Sequence, residues 1–239
     1  MRPGTTMTEL VGTGPESHGR FVILDWLCTV FEGMMVPTPD SAHIAGMPGY
    51  GSFLLLNTHK ERQVVFQNAL QANGYPNGGT AAFHGAPPHF LFSILCDGLK
   101  TRSRDVWYSR QPAHSTWYIH WRCQYPVDPV RGGTKVLNPE VLRGWENSLY
   151  QNMVLLFGVE VAGKRPNQVD VEAKMDQDGV MVRYLFLLPP DKLDGLGDNE
   201  FYWEDSSNNW LDGDTVVDQM ECAYRNIHDG NLAKEAVKK

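Results

Sequence analysis

The chain has 239 residues, 42% of them hydrophobic, and a formal net charge of −7. This length and composition predict a globular protein with one sizeable domain and flanking segments. The charge is uneven, because residues 191–239 carry 12 of the 28 acids and only 5 of the 21 bases. A neutral body with an acidic end excludes a broad nucleic-acid-binding surface, which needs clustered cations, so no nucleic acid partner is expected.

The cysteines are far apart in the sequence and show no CxxC spacing: Cys28, Cys96, Cys123 and Cys222. Neither a disulfide framework nor a zinc site is predicted, and we expect no metal. Reduced thiols indicate an intracellular protein, in the cytoplasm or the nucleus. The longest apolar stretch, Phe21–Met35, contains two acids and predicts an amphipathic helix over about residues 20–35, so no membrane span is expected.

Short strands and short helices follow in irregular order, which predicts an α+β domain and not a doubly wound α/β domain. Strands are predicted at Phe53–Leu56, Ala81–Phe83, Val106–Ser109, Met153–Val161, Val169–Glu172 and Val180–Leu188. Helices are predicted at about Lys60–Asn73, at His89–Leu99, from Pro112 towards Tyr118, and near the carboxyl end of the chain. On the first of these, Val64, Val65, Ala69 and Leu70 share one side, which predicts the buried face.

Several motifs lie between residues 83 and 118, and one more lies near residue 185. In chain order they are Phe83-His84-Gly85, Ile94-Leu95-x-x-Gly98-Leu99, Val106-Trp107-Tyr108-Ser109, Ser115-x-x-Tyr118 and Val182-Arg183-Tyr184-Leu185-Phe186-Leu187. Together they resemble the NAD-binding core of the poly(ADP-ribose) polymerase family. The corresponding family motifs are His-Gly, Ile-Leu-x-x-Gly-Leu, Gly-Ile-Tyr-Phe-Ala, Ser-x-x-Tyr and Val-Arg/Lys-Tyr-Leu-Leu-Val. Upstream of these motifs, the segment Met47-Pro48-Gly49 is similar to that of fungal members and membrane-associated mono-transferases. The resemblance covers about residues 45–190.

The resemblance implies the ADP-ribosyltransferase fold, in which two small, roughly perpendicular mixed or antiparallel sheets hold NAD in a cleft between them. It implies a tail and helix over residues 1–45, a catalytic domain over residues 46–190 and an acidic extension over residues 191–239. It also implies a mono-ADP-ribosyltransferase. Such an enzyme uses NAD as a substrate without a metal, transfers ADP-ribose to a protein acceptor and releases nicotinamide.

Nicotinamide is a flat ring with a carboxamide, so it needs an aromatic face together with a donor and an acceptor. By resemblance, Tyr118 stacks on the ring, while the Ser115 hydroxyl and the Gly85 backbone hold the carboxamide. His84 is expected to bind the adenine-side ribose. Loss of nicotinamide leaves an oxocarbenium-like sugar, which positioning and a nearby anion or dipole stabilise.

The resemblance also assigns a catalytic triad, to His84, Trp107 and Tyr184. Trp107 replaces the family tyrosine and brings an indole without a hydroxyl. Its neighbour Tyr108 is also assigned to the NAD site, although strand alternation directs it to the opposite face. Polymer-forming members carry a glutamate on the last core strand, whereas here the aligned position is Tyr184 and no acid lies between Met181 and Leu188. This predicts transfer of a single unit, or no catalysis at all.

Blander interpretations remain for each of these residues. The histidine and the aromatic residues could be ordinary core side chains, and Ser115 could simply cap a helix. The whole cleft could be a catalytically inactive module that binds NAD, ADP-ribose or a protein partner. Transfer to RNA ends is disfavoured, because such substrates call for a basic surface.

Overall fold

A computed structural model of the chain describes residues 33–44, 47, 51–58, 60–112, 114–116, 154–165, 172–188, 213–230 and 232. The strands are β1 (Met34–Pro37), β2 (Gly51–Asn57), β3 (Thr80–Ala86), β4 (Asp105–Ser109), β5 (Val154–Val161), β6 (Glu172–Asp176) and β7 (Val180–Leu188). The α-helices are α1 (Lys60–Ala72), α2 (Leu91–Asp97) and α3 (Gly213–His228), and short 3-10 helices cover Asp40–Ala42, Pro88–Phe90 and Gln177–Gly179. The described strands form one antiparallel sheet in the order β1-β2-β7-β5-β3-β4-β6, which confirms the α+β class.

The sheet carries apolar side chains on both faces, and a different helix covers each face. Helix α3 packs on one face, against Leu54, Phe83, Leu156, Tyr184 and Phe186 among others. Helix α2 packs on the other face, with Ala82, Ala86, Phe157, Val159 and Leu185. All nine residues of β7 are therefore buried, as the continuous apolar run of that strand predicts for an element covered on both sides.

The expectation of two separate sheets is wrong for the described residues, although a seam divides the one sheet. Strands β3 and β4 share a single residue pair, Phe83 with Ser109, whereas β3 and β5 pair along seven residues and β4 and β6 along five. That one pair keeps the hydrogen-bonded ladder continuous. The sheet thus has a five-stranded part and a two-stranded part that begin to separate beside His84.

Two predicted helical features are wrong. Residues Met34 and Met35, placed at the end of a helix, belong to β1, which pairs with β2, while residues 20–32 lie outside the described residues. The buried side of α1 is set by Phe66 and Leu70, which pack near Met181. Val64 and Val65, predicted to be buried, are 54% and 40% exposed. Of the predicted strand Val169–Glu172, only Glu172 is among the described residues, and it is the first residue of β6.

Strand β7 contains a bulge that changes the direction of its side chains. Gly158 pairs with Tyr184, but the next pair joins Val159 to Val182, so Arg183 is an extra residue in β7. As a result Val182 belongs to the cluster on the α2 face and Tyr184 to the cluster on the α3 face. Regular alternation would have put both on the same face.

Helix α3 lies in the acidic region that the sequence suggests is an extension, yet it is part of the core. Its apolar side chains Val216, Val217, Met220, Ala223 and Tyr224 are buried against the sheet. A Cβ added to Gly158 would lie 2.9 Å from the Tyr184 Cβ, so glycine fits the close approach of β5 to β7 at this point. None of the described helices is long and apolar enough to cross a membrane.

Candidate functional site

The site is built on the edge of β3 that faces β4. The Ala81 N–H donates to Glu221 Oε1 at 3.1 Å, and the Phe83 carbonyl accepts from Ser115 Oγ at 3.0 Å. Residues 81 and 83 therefore direct their peptide groups away from β5. Because peptide groups repeat every two residues along a strand, those of Gly85 point the same way. In the described residues the β3–β4 ladder has no pair at Gly85, so its N–H and C=O face the seam.

The His84 side chain holds the two strands together at this seam. Its Nδ1 lies 2.7 Å from the Trp107 carbonyl, and because a carbonyl can only accept, Nδ1 carries the proton. A ladder that continued past Phe83 and Ser109 would place Gly85 opposite Trp107. The imidazole thus takes the carbonyl that the Gly85 N–H would otherwise use.

The protonation state of His84 follows from its surroundings. Burial lowers the pKa of the His84 imidazole, and the hydrogen bond to the Trp107 carbonyl opposes that shift only in part. The ring is therefore neutral at neutral pH, with its proton on Nδ1. Nε2 is left as a hydrogen-bond acceptor.

A cavity of about 550 Å³ opens beside the end of β3. Its lining is contributed by His84, Gly85, Ala86, Pro87, by α2 with the residue before it, and by the loop after α2 as far as Thr101. Ile94 and Leu99 give apolar walls, while Asp97 and Lys100 form an ion pair of 3.1 Å at the surface. Gly98, with φ of 74°, ends α2 in a left-handed conformation that favours glycine. Apolar walls with a polar rim suit a flat heteroaromatic base that carries a sugar.

Trp107 is 55% exposed and lies on the far side of the seam. Its cross-strand partner on β6 is Lys174, whose Nζ lies 5.8 Å from the centre of the indole ring. The same ammonium forms an ion pair of 2.7 Å with Asp105. Trp107 therefore offers an aromatic surface next to the seam, with a cation over the ring.

Tyr108 lies on the opposite face of β4 from Trp107. It is 5% exposed and packs in the core cluster that includes Leu99 and Val106. Burial raises the pKa of the Tyr108 hydroxyl. The structure places this side chain in the core next to the cavity, and it is not among the residues that line the cavity.

The structure does not bring Tyr184 to His84. Tyr184 is fully buried beneath α3, stacked on Phe186 with ring centres 5.3 Å apart, and its hydroxyl donates to the Ala42 carbonyl at 3.0 Å. Burial raises the pKa of this hydroxyl, so it stays protonated. Phe83 shares the Tyr184 face of the sheet, so alternation puts His84 on the other face.

Ser115 does reach β3, from the segment where residues 112 and 114–116 are helical. Its hydroxyl hydrogen is used on the Phe83 carbonyl, so the remaining lone pairs of Oγ can act only as acceptors. The predicted stacking residue Tyr118 lies outside the described residues.

One further residue near this edge is identified by the strand register. The register places Glu172, the first residue of β6, opposite Ser109. Ser109 in turn pairs with Phe83. Glu172 is thus two strands from the residue before His84. Only the strand register, and no motif in the sequence, reveals this position.

The described residues contain no group of three or more histidine, cysteine, aspartate or glutamate side chains arranged to hold a metal ion. The seam itself offers peptide groups, the Ser115 hydroxyl, the His84 imidazole and the Trp107 ring. No protein-family model matches the chain, and no curated protein matches it.

Proposed function

We propose that this protein is an NAD-dependent mono-ADP-ribosyltransferase of the poly(ADP-ribose) polymerase type. It would transfer ADP-ribose from NAD to a side chain of a protein acceptor and release nicotinamide. The observation that carries the proposal is the peptide group of Gly85, which pairs with no described residue of β4, together with the His84 and Ser115 side chains beside it. The resemblance of the motifs led to these residues, and their arrangement at one seam supports it.

The nicotinamide half of NAD would bind at the seam. A carboxamide has one acceptor oxygen and one donor amine, which match the N–H and C=O of Gly85. The Ser115 hydroxyl, already donating to Phe83, has lone pairs left for the second amine hydrogen. Trp107 supplies an exposed aromatic surface nearby. In this arrangement the carboxamide completes the hydrogen bonds that β4 does not make with β3.

The adenosine half would occupy the cavity beside α2. His84 Nε2 is the acceptor nitrogen of the neutral ring and would take a hydrogen bond from a ribose hydroxyl. The apolar walls formed by Ile94 and Leu99 suit an adenine ring. The volume of about 550 Å³ falls within the range of ligand pockets that bind nucleotide-sized molecules. His84 would therefore connect the two halves of the substrate.

The reaction breaks the bond between nicotinamide nitrogen and ribose carbon, and both bonding electrons leave with nicotinamide, which becomes neutral. The ribose then carries oxocarbenium-like positive charge until the acceptor nucleophile attacks and loses its proton. We propose transfer of a single unit because β7 carries no acid, and the length of the product tests this point directly.

A second candidate is a module that binds NAD or ADP-ribose without catalysis. It is favoured by Trp107, which lacks a phenol hydroxyl and whose ring lies under the Lys174 ammonium. Replacing Trp107 by tyrosine would distinguish the candidates, because it restores a hydroxyl at an exposed position. A gain of turnover in Trp107→Tyr, from protein that otherwise only binds NAD, would establish the inactive module.

The decisive experiment incubates the purified chain with NAD labelled in the adenine ring and measures free nicotinamide, labelled protein and product length. His84→Ala should abolish labelling. His89→Ala is the matched control, because His89 is an exposed histidine next to Phe90 and does not line the cavity. Single-unit labelling that depends on His84 supports the transferase. Binding without nicotinamide release supports the module, and absence of NAD binding refutes both.

A further inference from the structure

Glu221 of α3 occupies a place on the β3 edge that a strand would normally fill. Its Oε1 accepts the N–H of Ala81, a residue with no exposed surface, at 3.1 Å. Arg165 holds the same carboxylate through its Nε, 3.2 Å from Oε1, and its Nη2, 2.7 Å from Oε2. The carboxylate is thus fixed between a strand edge and a guanidinium, and only 16% of the side chain is exposed.

The place that Glu221 fills is the next position of the β3–β4 ladder. If the pairing of Phe83 with Ser109 continued, Gln111 would lie opposite Ala81. Instead the Gln111 N–H donates to Ser109 Oγ at 3.0 Å, and the chain turns into the helical residues that carry Ser115. Without another acceptor, the Ala81 N–H would be buried and unsatisfied, which proteins avoid.

The peptide groups of three alternate residues of β3 face this edge, and each of them is bound differently. Glu221 binds the peptide N–H of Ala81, Ser115 binds the carbonyl of Phe83, and the peptide of Gly85 pairs with no described residue of β4. The bond of Glu221 to Ala81 permits the bond of Ser115 to Phe83, because a chain that paired with Ala81 could not also turn into the segment that carries Ser115.

We infer that Glu221 is a positioning residue for the nicotinamide subsite, acting through Ala81 and the segment that carries Ser115. The inference rests on the proposed function of that subsite. It gives α3 a role in substrate binding although the helix does not touch the cavity beside α2. It also predicts that loss of the Glu221 acceptor weakens the binding of nicotinamide more than the binding of ADP-ribose.

The test compares Glu221→Ala, Glu221→Gln and Asp218→Ala in the full chain. Asp218 is the matched control, because it pairs with the same Arg165 at 2.7 Å and is 66% exposed, but does not bind Ala81. Glutamine keeps an oxygen for the Ala81 N–H. Calorimetry measures the affinity of each variant for nicotinamide alone and for ADP-ribose alone.

In Glu221→Ala, nicotinamide binding should weaken about tenfold, because the carboxamide loses its hydrogen bond to the displaced Ser115 hydroxyl. ADP-ribose binding should change less than about twofold. Asp218→Ala and Glu221→Gln should retain both affinities. Deuterium exchange over residues 109–116 should accelerate in Glu221→Ala and in neither of the other variants.

Equal losses for nicotinamide and ADP-ribose, or unchanged exchange over residues 109–116, would overturn the role of Glu221 and leave the proposed function standing. Wild-type protein that binds neither ligand would instead refute the proposed function, and the role of Glu221 within it. The two failures are therefore distinct.

Discussion

The His84 ring donates from Nδ1 to the Trp107 carbonyl across 2.7 Å, at the point where the backbones of β3 and β4 cease to pair. A side chain thus replaces a ladder hydrogen bond. The replacement has two consequences. It leaves the Gly85 peptide without a described partner on β4, and it fixes the tautomer of the imidazole so that Nε2 is an acceptor. One residue therefore shapes the proposed carboxamide site and supplies the proposed ribose contact.

These two roles can be separated by mutation. Asparagine places an amide N–H near the position of Nδ1 but has no counterpart of Nε2. His84→Asn should therefore keep the bond to the Trp107 carbonyl and retain nicotinamide binding, while ADP-ribose binding weakens about tenfold, the size of one lost hydrogen bond. Titration of each ligand against the variant measures both effects.

His84→Ala is the companion variant, because it removes both nitrogen atoms. Its affinity should fall for nicotinamide as well as for ADP-ribose, since the Trp107 carbonyl is then free to pair with the Gly85 N–H. If His84→Asn and His84→Ala weakened nicotinamide and ADP-ribose binding in the same ratio, the separation of β3 from β4 beside His84 would not depend on Nδ1.

The pH dependence of ADP-ribose binding should report the same imidazole. Burial lowers the folded pKa of His84 below its ordinary value of 6.5, so the folded protein keeps the ring neutral. A lowered histidine pKa gives stability that is present above about pH 6.5 and is lost as the pH falls, because the unfolded chain then binds the proton more readily. ADP-ribose affinity should be constant between about pH 8 and pH 6.5 and weaken below, as protonation removes the Nε2 acceptor.

The variant His84→Asn provides the control for that profile, because asparagine does not titrate. Its weaker ADP-ribose affinity should be flat over the same range. A wild-type profile that is equally flat would show that the neutral imidazole takes no part in binding.

The sequence was informative wherever the pattern of a single segment decides the structure. Strand β7 has the bounds predicted for it, Val180–Leu188, because a long apolar run ended by prolines permits little else. Strand β4 and helix α1 were each found within one residue of the prediction. The proximity of His84, Gly85 and Ser115 was also expected, although from the family resemblance and not from the pattern.

Features that depend on distant segments were not predictable. Tyr184 lies under α3 because Arg183 is an extra residue in the pairing with β5, and a bulge leaves no mark on the hydrophobic pattern of β7. The buried side of α1 includes Phe66 in place of Val64 and Val65, because α1 packs near Met181 of β7. The position of Glu172 opposite Ser109 follows only from the register of β6 with β4, which no single segment determines.

The buried pair of Arg183 and Glu160 should dominate the stability of the fold around α3. Both side chains are fully buried, with Nε and Oε2 at 2.7 Å, and the other carboxylate oxygen contacts His228 Nε2 at 2.7 Å and the Gly79 N–H at 2.8 Å. Arg183→Met leaves the carboxylate without its buried cation. The free energy of unfolding should fall by about 3–5 kcal/mol, as measured for other broken buried pairs, which denaturant titration would detect.

The acid sensitivity of the protein should change in the same variant. Burial alone would raise the pKa of Glu160, but Arg183 and His228 outweigh it and hold the pKa at about 2. A lowered carboxyl pKa gives stability that is present above the ordinary value of 4.5 and is lost as the pH falls towards 2. Arg183→Met should therefore begin to unfold at a higher pH than wild type. Arg104→Met, which removes an exposed arginine paired with Asp176, should leave the acid transition in place, and a shift as large as that of Arg183→Met would contradict a specific role for the buried pair.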